Sequence, residues 1–112
     1  MKEIEIVLKE NEDLESVLLM NKHKISVHLA KMVVWALENN MDKFTFANIL
    51  VEGEEQGEFH LGCSRGEYLE ALKKQKVNLI EFEEYEMLEK LDEWIAFLEL
   101  ETIIEDPKNL KW

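Results

Sequence analysis

The chain has 112 residues, 46% of them hydrophobic, and a formal charge of −12 at pH 7. That length and apolar content suit a single domain over residues 1–112 with a core of its own, and one Pro and four Gly argue against a disordered chain. So acidic a surface repels nucleic acid, whose binding relies on Lys and Arg releasing counterions, and no apolar run reaches the roughly 20 residues of a membrane span.

The opening stretch MKEIEIVLKENED alternates charge with apolarity and has no h-region, so no secretory signal is expected. Ile4, Ile6 and Leu8 recur at period two, which predicts a half-buried strand over 3–9. Asn11, followed by acids, reads as the cap of a short helix over 12–20. Within KISVHLAKMVVWALEN, Ile25, Leu29, Met32, Val33, Ala36 and Leu37 form one buried helical face over 24–39. The β-prone runs 43–51 and 58–63, joined through Gly53 and Gly57, predict a hairpin.

Ser64 and Glu67 have the spacing of a capping box, which starts a third helix over about 65–76 with Tyr68, Leu69, Leu72 and Val77 turned inward. Residues 77–83 read as a connection. From about 83 a last helix places Met87, Leu88, Leu91, Trp94, Ile95 and Leu98 on one stripe. FLELETIIED can extend that helix or alternate as a strand; the expectation is helix to about 100, with Phe97 and Leu100 outside the stripe. Pro107 ends regular structure. Leu110 and Trp112 follow on a short tail that is either docked or exposed. The sum is an α+β fold: a small antiparallel sheet of about three strands packed against helices, with a C-terminal helical hairpin.

Residues that carry chemistry are few. His60 and Cys63 are three apart on a strand and so face opposite sides, which disfavours a Cys–His pair. His28 reads as a helix-boundary residue, and Cys63 as a buried structural thiol that leaves no intrachain disulfide partner. Lacking a disulfide framework and a signal, the chain is expected in the reducing cytoplasm. No metal motif and no phosphate-binding glycine loop occurs, and EGEEQGEFH (52–60) lacks the ordered ligand alternation of a calcium loop. A non-enzyme without cofactor or metal is the expectation. Lys73, Lys74 and Lys76 form a basic cluster, placed where it would complement the dipole at the end of the third helix.

Charge is concentrated in residues 77–112, where three lysines stand against eleven acids, a balance of −8. Seven of the fourteen residues of EFEEYEMLEKLDEW (81–94) are acidic, and Lys90 is the single base among them. Their spacing fits the solvated face of an amphipathic helix. Their composition does not, because like pairs such as Glu89 and Glu93 cost the few tenths of a kcal/mol, about 0.2–0.5, that opposite pairs would contribute.

Residues 68–95 resemble the helical hairpin of UVR-type domains through Glu84, Tyr85, Glu86, Lys90, Leu91 and Ile95, with Leu88 and Glu89 in place of that family's small residues and Asp92 in place of its basic one. That resemblance implies protein binding rather than catalysis. VVWALENNMDKFTFANILVEG followed by the acidic hairpin resembles short acidic proteins of Gram-positive phages and mobile elements, some of which inhibit host proteins by imitating nucleic-acid charge.

The expected function is therefore a non-catalytic protein-binding module. Glu86, Glu89, Asp92 and Glu93 would face a basic partner, possessing in the sharpest form a nucleic-acid-binding groove, and Tyr85, Phe97 and Trp112 would be apolar anchors. No direct nucleic-acid or membrane contact is expected. The alternative is a homodimer joined through apolar residues 94–104, with charge serving solubility.

Overall fold

A computed structural model describes residues 3–53 and 57–105. The elements run β1 (Ile4–Leu8), α1 (Leu14–Met20), α2 (Lys22–Glu38), β2 (Lys43–Val51), β3 (Gly57–Ser64), α3 (Tyr68–Glu81) and α4 (Leu88–Glu105), with 3-10 turns leading into the last two helices. The α+β class, the three strands and the C-terminal helical hairpin are those read from the sequence. The sheet, in the order β1-β2-β3, is mixed rather than wholly antiparallel. β2 and β3 form the antiparallel hairpin, whereas β1 pairs parallel to β2 with Ile6 beside Ile49. A parallel neighbour needs a crossover, and α1 and α2 supply it.

Local chemistry accounts for the element ends. Asp13, not Asn11, caps α1: its carboxylate accepts from the Ser16 backbone N–H at 3.3 Å. Helices α2 and α3 both stop in a left-handed residue, Asn40 (φ 54°) and Glu83 (φ 60°). In each, two backbone bonds fold the chain back: Met41 N–H to Ala36 O and Asn40 N–H to Leu37 O in the first, Glu84 N–H to Leu79 O and Glu83 N–H to Ile80 O in the second. Helix α3 thus runs five residues past the expected end, through the segment read as a connection, and leaves Val77 exposed rather than inward. The Ser64–Glu67 capping box forms as expected, and its two hydrogen bonds hold the Glu67 carboxyl below its usual range.

The alternation of β2 breaks once. Thr45 pairs with Gly62 and Ala47 with Leu61, so Phe46 is an extra, bulged residue. The bulge lets Phe44, Ala47 and Ile49 all be buried although the step from 44 to 47 is odd.

Helix α2 is the centre of the molecule. Ala30, Val33 and Ala36 on it are fully buried, joined by Tyr68, Leu72 and Leu79 of α3 and Leu91 and Leu98 of α4. Ile6, Val17 and Ile49 make a smaller cluster between the sheet and α1. Tyr68 donates its hydroxyl to the Met41 carbonyl at 2.9 Å, tying α3 to the turn after α2. Helix α4 continues to Glu105, beyond the expected end at about 100. Among the described residues no helix is long and apolar enough to cross a membrane.

Candidate functional site

The acidic stretch 81–94 spans the turn between α3 and α4, and the fold answers many of its charges from distant elements. Lys22 lies 3.8 Å from Glu81, and His23 Nε2 lies 2.9 Å from Glu84 while its ring stacks on Phe82 at 4.4 Å. Lys76 pairs with Asp92, and Lys90 reaches back to Glu38 of α2 at 2.8 Å. That contact with Glu38, and more weakly the nearby Glu93, pushes the Lys90 ammonium above its usual range.

Asp92 keeps an exposed side chain and pairs with Lys76 across the α3–α4 seam. One expectation is corrected by this arrangement. The lysines of α3 do not cap its end: Lys76 meets Asp92 and Lys73 meets Glu99 at 3.1 Å, so the cluster fastens the hairpin. The partners come from 16 or more residues away in sequence, beyond the reach of an i,i+4 reading.

What remains outward is a ridge. Glu89, Glu93, Phe97, Leu100 and Ile104 recur along α4 at spacings of four, four, three and four, which keeps them on one face. Glu86, in the turn that leads into the helix, and Glu89 take part in no ion pair among the described residues. The second half of the ridge is apolar: Phe97, Leu100 and Ile104 are 49%, 56% and 59% exposed, with Ile103 beside them. Trp94, half-buried, braces Phe97 edge-to-face with ring centroids 5.5 Å apart. Phe97, Leu100, Glu101 and Ile104 line a shallow groove there. Tyr85 is exposed at the hairpin turn. Of the expected anchors, Trp112 lies outside the described residues.

Other candidates for chemistry are dispersed. Cys63 is buried, and burial, with Glu67 adding to it, pushes the thiol up to about 11. His60 is exposed on the opposite side of β3, near Glu3 and Glu58. Among the described residues no group of three His, Cys, Asp or Glu side chains could hold a metal ion; the loop 52–60 falls partly outside them. A wide-open hollow of about 600 Å³ is lined by His23, Lys24, Val27, His28 and Lys31 of α2 together with Glu84.

No family model, curated protein or solved structure matches the chain. The resemblances to UVR-type hairpins and to acidic phage proteins therefore rest on the residues quoted for them.

Proposed function

We propose that this protein is a non-catalytic protein-binding module whose docking surface is the outer ridge of α4. The observation that carries this reading is the ridge itself, acidic through Glu89 and Glu93 and apolar through Phe97, Leu100 and Ile104, with Lys90 at its border drawn to Glu38. A helix kept for stability alone would be expected to pair Glu86 and Glu89 with cations, as the hairpin seam pairs Glu99 and Asp92. The fitting partner has a basic surface beside an apolar patch. Long-range attraction steers the encounter, and burial of Phe97 and Leu100 supplies most of the affinity. The sharper form is an inhibitor that occupies the nucleic-acid-binding groove of a basic host protein.

The test is capture from bacterial lysate at low and high salt, with the triple variant Glu86→Lys, Glu89→Lys, Glu93→Lys beside the wild type. Asp92 stays unchanged because it already has a partner in Lys76. The expected result is a basic protein captured at low salt, released by salt or by added heparin, and lost in the variant. Identical capture by both versions would sink the acidic-ridge reading. Sensitivity to Leu100→Lys alone, with the wild type retaining only itself, would support instead the homodimer through 94–104.

A further inference from the structure

The outer edge of β3 is the second unoccupied surface. β3 is a terminal strand of the sheet, eight residues long against five for β1 at the other edge. Among the described residues no backbone group of another segment bonds to its outer side. Edge strands of natural proteins are ordinarily blunted by Lys, Pro, a bulge or a covering helix. GEFHLGCS has no Lys and no Pro, and the bulge of this sheet sits on β2. The helices do not cover it either: Ile49 is fully buried, while Phe59, its neighbour on the same face, is 56% exposed. A groove of about 380 Å³ beside it is lined by Leu18, Ile25, Phe46, Leu61 and Gln75.

We infer that this edge is completed by a second copy of the chain, β3 pairing with β3 in antiparallel fashion to make one continuous six-stranded sheet. Self-pairing about His60 aligns residues 57–63 of the two copies. Because side chains alternate, Phe59 of one copy then lies opposite Leu61 of the other on the helix side, where the groove opens. On the open side Glu58 lies opposite Gly62, so the two carboxylates do not meet, and the two His60 rings face one another across the axis. The contact is isologous and closes at two copies.

Charge decides for a second copy here and against one on α4. Two chains of −12 repel, and they approach most cheaply where the local charge is least. Residues 57–64 carry one acid and no Lys or Arg, a balance of −1 over eight residues, whereas residues 89–104 of α4 carry five acids and one lysine, a balance of −4 over sixteen. The apolar residues of α4 are thus left for a partner of opposite charge, and the edge of β3 for self-association. The two surfaces are separate, so failure of one assignment leaves the other standing.

Sedimentation over micromolar to submillimolar concentrations tests the assignment with the full chain. The expected species has twice the 13.3 kDa chain mass. Phe59→Lys, at an exposed position that leaves the core intact, should weaken the dimer by about tenfold or more, since it sets a cation against Leu61. Leu100→Lys should leave it unchanged. Independently, His60→Cys in a Cys63→Ala background should cross-link under mild oxidation, because directly opposed Cβ atoms lie about 4.5–5.5 Å apart and need little movement to bridge. A monomer throughout the range, a dimer insensitive to Phe59→Lys, or a dimer broken by Leu100→Lys overturns the inference.

Discussion

Arg65, at the junction of β3 and α3, holds Glu101 near the far end of α4, with one guanidinium nitrogen 3.0 Å from each carboxylate oxygen. The contact joins residues 36 apart and is half-sheltered on both sides. It fixes the part of α4 from which Leu100 and Ile104 project. Arg65→Ala should cost about 1 kcal/mol in urea unfolding. The effect should shrink in high salt, and amide exchange should speed up first in residues 99–105.

Tyr68 is fully buried and donates to the Met41 carbonyl, which sits in the turn closing α2. Tyr68→Phe keeps the ring contact with Phe44 and removes the hydroxyl alone. The expected loss is about 1–2 kcal/mol, measured as a lower denaturation midpoint with an unchanged slope.

Glu83 takes a left-handed conformation at the end of α3, which costs an L-residue roughly 1 kcal/mol and a glycine almost nothing. Glu83→Gly should therefore stabilise the protein, by about 0.5–1 kcal/mol after the added freedom of the unfolded chain is counted. The comparison with Glu83→Ala isolates the backbone effect, because alanine removes the charge and keeps the strain.

The Cys63 thiol is raised from 9.0 to about 11, first by burial and then by Glu67. The folded state therefore keeps a proton that the unfolded state has released between those values. Stability contributed by the protonated thiol is fully present below pH 9 and declines as pH rises toward 11. Cys63→Ala should flatten the alkaline fall in stability. Native thiol labelling at pH 8 should be slow and should become rapid in urea.

Glu89 and Glu93 are one helical turn apart with like charge. Neutralising the pair, Glu89→Gln with Glu93→Gln, should raise stability by about 0.2–0.5 kcal/mol at low salt and by less at high salt. A loss of stability would mean that these carboxylates serve the fold, contrary to the proposed docking role.

Periodicity carried far in this chain. The buried faces of α2 and α4, the hairpin of β2 and β3 and the Ser64 capping box could all be read because each depends on neighbours within a few residues. The parallel seating of β1 could not, since nothing in EIEIVL records the direction of the strand it will meet. The ion pairs of the acidic stretch were hidden for the same reason: Lys22, His23 and Lys76 find their acids only once three helices pack. Local reading therefore left Glu81, Glu84 and Asp92 without their partners, and placed the end of α3 too early because the cap at Glu83 uses a residue type seldom found left-handed.

The parallel pairing of β1 also orders events during synthesis. Ile6 leaves the ribosome long before Ile49, its partner, with both crossover helices in between. The central helix α2 must likewise wait for α3 and α4 before Val33 and Ala36 are covered. A chain truncated after residue 42 and released would present an unpaired strand and an apolar helix at once, and such exposed surfaces are prone to aggregate. The molecule is thus committed to folding late, after most of its length has been made, so that truncated products are the species most at risk of aggregation.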